Sequence, residues 1–488
     1  MSTVHEKDAR AAVRWDYSPA PESPDHVRLR ERYPLFVGGR WVEPEDGGYV
    51  TDINPASEEP IAELAFAGAG DVERAVAAAR AALPAWQALA PLERGKVIYR
   101  IARLIQEKAR ELAVVESMDG GKPIRESRDV DVPLAAQHFF HYAGWADKLG
   151  YATSGRAFAP RGVCGQIVPW NFPLLMVAWK IAPALACGNV VVLKPAETTP
   201  LTALLLAEIC EEAEVPPGVV NVIPGAGATG AALVGAQVDK LAFTGSTAVG
   251  KQIHKLAAAR GIPVTLELGG KSANIVFEDA ALEGAVEGIV DGIFFNQGHV
   301  CCAGSRLLLQ ESVADQVTEM LWRRMQLLRV GDPLDKNTDV GAINSRAQLD
   351  RIEALVAVGD EEGANRRTVA CELPSRGFWF APTMFTEVAP TMRVAREEIF
   401  GPVVSVLTFR TTAEAIEKAN NTPYGLAAGV WTDKGGKAFA VASALRAGTV
   451  WQNTYNKFDP TAPFGGYRES GFGREGGAAG LLPYLRVA

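Results

Sequence analysis

Cysteine is scarce in this chain, with 6 residues in 488. So few cysteines cannot form a disulfide framework, and no two have CxxC spacing, so neither a zinc centre nor a thioredoxin-like pair is expected. A basic surplus is also missing. Lys and Arg number 49 against 57 Asp and Glu, for a net charge of −8. Nucleic acid is therefore not an expected partner, and the acidic balance favours solubility. An uninterrupted apolar span is lacking too. The most apolar stretch, "VPWNFPLLMVAWKIAPALACGNVVVL", is broken by Asn171, Pro173, Lys180, Pro183 and Asn189. That pattern suits a buried strand–helix–strand better than a membrane crossing. The N-terminus has no apolar stretch of the kind found in a signal peptide. Together these features imply a cytoplasmic protein without membrane association.

What is present reads as an α/β chain of about three domains by length. Residues 1–30 are polar and aperiodic, a loose arm ordered only where it touches the body. From 71, "DVERAVAAARAALPAWQAL" predicts a helix capped by Asp71, with Val72, Ala75, Val76 and Ala79 on one face. "LERGKVIYRIARLIQEKARELAVVESMD" predicts a second, unbroken one. From 164, five short β-branched runs ("GQIVPW", "NVVVLKP", "VVNVIPG", "KLAFTG", "PVTLELGG") alternate with helices. Nearly continuous apolar strands of this kind predict a doubly wound parallel sheet, the usual platform for a dinucleotide. Alternation restarts at "ANIVFED", continues through a long helix to Gly298, and ends near "AGTVWQN", which defines a second α/β unit. The expected division is 31–137 with 161–269, then 270–469, with 138–160 and 470–488 as a separate small segment.

Two glycine arrangements compete for phosphate. "GAGATG" (Gly225, Gly227, Gly230) follows a strand and matches GxGxxG, but no acid follows about 20 residues on. "GSTAVGK" nearly matches a P-loop, but Gln252 replaces the metal-binding hydroxyl, which argues against an ATPase. Both could be plain strand-to-helix turns. Gly245 and Ser246 nevertheless stand at an expected helix N-terminus, where free N–H groups and the dipole favour an anion such as pyrophosphate.

"FFNQGHVCCAGSR" places Cys301 and Cys302 side by side. Most free cysteines are small core residues. Here the flanks are polar and small, which fits a loop presenting a side chain. His299, two residues away, raises a Cys–His dyad as one possibility and a solvated loop histidine as the other.

"PWNFP" (169–173), "KPAE" (194–197), "FTGST" (243–247), "LELGGK" (266–271), "GHVCCAGSR" (298–306), "EEIFGPV" (397–403) and "PFGGYRESGFGRE" (463–475) together resemble the NAD(P)-dependent aldehyde dehydrogenases over roughly residues 33–486. The resemblance implies that family's architecture: a doubly wound cofactor domain, a second α/β catalytic domain and a small oligomerisation segment. It implies oxidation of an aldehyde to a carboxylic acid. Cys301 would be the nucleophile, forming a thiohemiacetal and then a thioester, with Cys302 as its variable neighbour. Asn171, otherwise a helix cap ahead of Pro173, would face the developing oxyanion. Glu267, otherwise half of a buried ion pair, would activate the hydrolytic water. Lys194 and Glu197 would face the adenosine ribose, and a carboxylate there favours NAD over NADP. Trp170, Gly227, Gly245, Ser246, Glu398 and Phe400 would complete the cofactor site. Phe172, Trp179, Phe458 and Phe464 would line the aldehyde tunnel, although any of them could be core; Lys457 could instead anchor an acidic semialdehyde.

Two departures from the family pattern stand out. His299 replaces a usual Gln, and "YLRVA" ends too early for the last strand that relatives share between subunits, so a homodimer is expected rather than a tetramer. Glu267 argues against a CoA-acylating variant. An inactive scaffold of the same fold is the alternative, opposed by the intact Cys301, Asn171 and Glu267.

Overall fold

The structure is a computed structural model that describes residues 18–487. Of the arm expected over 1–30, residues 1–17 lie outside the described residues. The five predicted strands are present as Val163–Ile167, Val190–Lys194, Val220–Val222, Lys240–Thr244 and Val264–Glu267. All are parallel and buried on both faces, apart from the half-buried Val264 at the start of the last. This burial on two sides is why their apolar residues do not alternate. Helices Pro173–Ala186, Leu201–Glu212, Gly227–Gly235 and Thr247–Ala259 make the crossovers.

In space the strand at 240–244 lies beside the one at 163–167, and the sheet grows outward in both directions from that pair. The order therefore reverses there, opening a crevice at the carboxyl ends of these two strands. Antiparallel strands Leu35–Val37 and Arg40–Val42 extend one edge, and Gly471–Phe472 pairs with 264–267 at the other. A second sheet holds parallel strands Thr383–Thr386, Val403–Phe409, Arg306–Gln310, Ala273–Val276, Ala427–Trp431 and Thr449–Gln452, with Asn365–Thr368 antiparallel at its edge.

Several expectations need correction. The first helix starts at Ala69, not Asp71; Asp71 caps it from inside the first turn by accepting from Gly68 N at 3.0 Å. Val72, Ala75, Val76 and Ala79 are buried as expected. The second helix is two, Pro91–Glu107 and Ala109–Gly120. They part at Lys108, whose N–H still bonds Leu104 O at 2.9 Å but whose backbone leaves the helical region, with φ −96° and ψ 13°. The long helix after 282 ends at Ile293, five residues before Gly298.

Helix Val132–Ala143 crosses the boundary drawn at 137/138 and packs against helices 91–107 and 173–186. The tail is shared: Gly471–Phe472 joins the first sheet, whereas Leu485–Val487 forms a two-stranded ribbon with Phe158–Pro160. The last strand of the described residues is thus a three-residue one that pairs within the chain. The described part of the arm is tied to the body. Glu22 N donates to Leu334 O at 2.8 Å, and its carboxylate accepts from Arg110 Nε at 2.9 Å and meets Lys336 Nζ at 3.0 Å. Among the described residues, no helix is long and apolar enough to cross a membrane.

Candidate active site

The crevice at the strand-order reversal continues into a cleft of about 970 Å³ between the two sheets. Cys301, Asn171 and Glu267 all line it, although they come from three separate segments. Asn171 follows strand 163–167, Glu267 ends strand 264–267, and Cys301 lies on the loop entering strand 306–310. Trp170, Gly245, Ser246, Glu398 and Phe400 line the same cleft.

The two cysteines differ. Cys301 is partly exposed to the cleft. Cys302 is buried, with its thiol 3.6 Å from Asn456 Oδ1 and its carbonyl accepting from Tyr455 Oη at 2.8 Å. A hydrogen bond with the Cys302 thiol, and then burial, hold the Cys301 thiol well above its ordinary pKa. It therefore rests protonated and must lose its proton when it reacts.

Glu267 is buried, and neither of its carboxyl oxygens has a hydrogen-bond partner among the described residues. The ion pair considered as an alternative is therefore not formed. Burial, and then the nearby Glu475, hold the carboxyl well above the ordinary range. Glu475 is itself paired with buried Lys180. A carboxylate so placed binds a proton more firmly than a solvated one, which makes it a stronger base.

Asn171 does not cap the following helix; Phe172 occupies the cap position, without a side-chain bond. The Asn171 amide donates instead to His299 O at 2.8 Å. His299 is neither solvated nor hydrogen-bonded to Cys301. Its ring lies edge-on to Trp170 at 4.7 Å and stacked on Phe400 at 5.8 Å. Burial, and then the charge of Lys122, push its pKa down to about 3, so it stays neutral. Among the described residues no Cys301–His299 hydrogen bond forms, and the imidazole is instead an element of an aromatic wall.

The cofactor candidates fall into two groups. Ser246 caps helix Thr247–Ala259, its hydroxyl accepting from Val249 N at 3.4 Å, and Gly245 precedes it. This helix N-terminus faces the cleft and suits pyrophosphate. Glu398 is half-buried and accepts from Gly270 N at 3.0 Å; desolvation raises its pKa to about 7. Lys194, Glu197 and Gly227 do not line the cleft. Lys194 and Glu197 pair at 3.5 Å beside helix 227–235, where a Cβ on Gly230 would lie 3.5 Å from Lys194 Cδ. They form a ledge at the carboxyl ends of the same sheet.

Trp179, Phe458 and Phe464 meet edge to face, with centroids 5.5–6.2 Å apart. Phe172 stacks on Phe295 at 6.3 Å, and all four tunnel candidates line the cleft. Lys457 reaches its rim.

Sequence reasoning missed the pairing of Lys180 with Glu475. A lysine inside an apolar helix demands an acid partner, but nothing local names one so far along the chain. It also missed Glu126 and Asn296, whose backbone and side-chain bonds shape the cysteine loop.

The chain is similar to known aldehyde dehydrogenases in sequence and in fold. The aldehyde dehydrogenase family model matches residues 41–488. Retinal dehydrogenase 2 of Homo sapiens is 45% identical over 93% of this chain and 90% of its own. The mitochondrial aldehyde dehydrogenase of Rattus norvegicus is 44% identical over 96% and 92%. The solved NAD+ complex of an aldehyde dehydrogenase from Bacillus cereus superposes with a TM-score of 0.91 at 41% identity, covering 95% of this chain and 98% of that one.

Proposed function

The chain belongs to the aldehyde dehydrogenase family, and on that footing we propose that it oxidises an aldehyde to its carboxylic acid with NAD, through a thioester on Cys301. One observation carries the reading: Cys301, Asn171 and Glu267 meet on the wall of a cleft that also holds the N-terminus of helix 247–259.

The residues present fit the cofactor. Gly245 and Ser246 would hold the pyrophosphate against the helix dipole. Glu398 would hold the nicotinamide ribose, with Phe400 and Trp170 flanking the ring. Lys194 and Glu197 would receive the adenosine ribose, where the half-exposed Glu197 carboxylate repels a 2′-phosphate and favours NAD over NADP. When bound, NAD supplies the carbon that accepts the hydride.

The protein's own work is to make and break the thioester. Cys301 gives up its proton and attacks the aldehyde carbon. The Asn171 amide and the Cys301 backbone N–H stabilise the resulting oxyanion. Collapse of the thiohemiacetal expels hydride and leaves the thioester. Glu267 then takes a proton from water, which attacks the acyl carbon, releases the acid and restores the thiol. The Trp179–Phe458–Phe464 cluster favours an uncharged, apolar aldehyde. A homodimer in the cytoplasm remains our proposal for assembly and location.

NADH absorbance with NAD and a broad aldehyde panel tests the reading. Turnover that disappears in Cys301→Ala is expected. No turnover on any aldehyde by the folded wild type would favour the inactive scaffold.

A further inference from the structure

Asn296 and Gln297 adopt left-handed backbone, with φ of 49° and 52°, just before Gly298 at 74°. Asparagine tolerates this region better than most residues, whereas glutamine has no such excuse. Strain of this kind persists only where the surroundings impose it, and here they do. Glu126 Oε2 accepts from Asn296 N at 2.8 Å. Gln297 Nε2 donates to Ala342 O at 2.8 Å and to Gly121 O at 3.1 Å. A Cβ on Gly298 would lie 2.1 Å from Gly401 O, so only glycine fits at that position.

The turn grips Asn171 at two points. The Asn296 side-chain amide donates to Asn171 O at 2.7 Å and also reaches His299 O at 3.4 Å. The Asn171 side-chain amide donates to that same His299 O at 2.8 Å. An amide NH2 carries two hydrogens. His299 O takes one, which fixes the plane of the group and leaves the other for an oxygen developing beside Cys301. Asn296 does not line the cleft and is 2% exposed, so it cannot touch substrate.

We infer that Asn296 is a positioning residue: held left-handed through Glu126, its amide aims the Asn171 side chain at the oxyanion formed on Cys301. The inference rests on the proposed role of Cys301 and Asn171, and it adds a second layer that no motif reading assigned.

The test uses p-nitrophenyl acetate, which acylates a nucleophilic thiol without NAD. The Cys301 thiolate attacks the ester carbonyl, p-nitrophenolate leaves, and the acetyl thioester remains. Loss of a whole oxyanion donor costs about 10²–10³-fold, so misaiming one is expected to slow the p-nitrophenolate burst by about 10–100-fold. Asn296→Gly separates backbone from amide, because glycine keeps the left-handed turn and loses both hydrogen bonds. It should slow the burst as much as Asn296→Ala, with NAD affinity unchanged. The double variant Asn171→Ala/Asn296→Gly should be no slower than Asn171→Ala, because both act through one donor.

A wild-type burst rate in Asn296→Gly would overturn the inference, as would losses that multiply in the double variant. If Asn296→Gly does not fold, the near-isosteric Asn296→Asp, which lacks the donor, must show the same slowing; a wild-type rate there would equally overturn it. A wild type that acylates Cys301 but reduces no NAD with any aldehyde would refute the proposed dehydrogenase activity and leave this comparison readable. A wild type that releases p-nitrophenolate no faster than Cys301→Ala would overturn the inference, while the dehydrogenase reading stands or falls on NADH formation.

Discussion

Replacing Glu267 by Gln removes a proton acceptor while preserving size and polarity. Both carboxyl oxygens are unpartnered among the described residues, so the amide breaks no hydrogen bond. General-base assistance is worth typically 10²–10⁴-fold, or about 3–5 kcal/mol of barrier. Deacylation should slow by that factor and become limiting. The expected trace is a burst of about one NADH per active site followed by a slow steady rate, with mass spectrometry placing the acyl group on the Cys301 peptide. Stability gives an independent reading. The folded pKa of Glu267 lies above its unfolded value because of burial and the neighbouring Glu475. Its contribution is therefore fully present below the unfolded pKa and is lost as pH rises through the folded one. The variant should melt like wild type near pH 4 and increasingly above it as pH rises. Turnover at the wild-type rate would make Glu267 a structural carboxylate. Absence of any burst would mean that it deprotonates Cys301 instead, and the division of roles would be wrong.

Cys301→Ala should abolish oxidation, whereas Cys302→Ala should keep substantial activity at a stability cost of about 1 kcal/mol; equal activity losses in the two would sink the assignment. Glu197→Ala should narrow the preference for NAD over NADP in kcat/KM, and a wild type that prefers NADP would contradict the ribose reading. Glu22→Gln should lose only ~1 kcal/mol in urea titrations, because Arg110 and Lys336 are well exposed. Since those partners lower the Glu22 pKa, that difference should fade as pH falls through it. Light scattering should show a dimer; a stable tetramer would refute that expectation.

The first sheet was legible because burial on both faces removes alternation, leaving runs such as Val190–Lys194 that scarcely read as anything else. The division of the helix at Lys108 was not, because it carries neither Pro nor Gly and depends on how the last turn closes. Cys301 was legible only through its motif, since proximity alone offered His299 as partner. The ring of His299 is turned away by Trp170 and Phe400, two aromatics remote in sequence. Glu267 read alone suggests half of a buried ion pair. Its unpaired burial, and the pairing of Lys180 with Glu475, exist only once distant segments meet.

The placement of the cleft follows from how the two sheets are joined. Ligands in doubly wound sheets sit at the carboxyl ends of the strands, and the first sheet obeys this with Asn171, Gly245 and Glu267. The second sheet does the reverse: Cys301 precedes strand 306–310, Glu398 and Phe400 precede 403–409, and Leu426 precedes 427–431. The cause is the connection. Strand 264–267 passes through Leu268–Ser272 directly into strand 273–276, so the end of one sheet feeds the start of the other. Five linking residues span at most about 18 Å, which forces the two sets of loops to face each other. Gly269 and Gly270 then allow contact. A Cβ on Gly269 would lie 2.2 Å from the Glu398 carboxylate, and one on Gly270 2.8 Å from Cys301 O. These two glycines let Glu398 and the nucleophile loop approach the strand that ends in Glu267, so the cofactor side and the chemical side of the cleft are set by the same short linker.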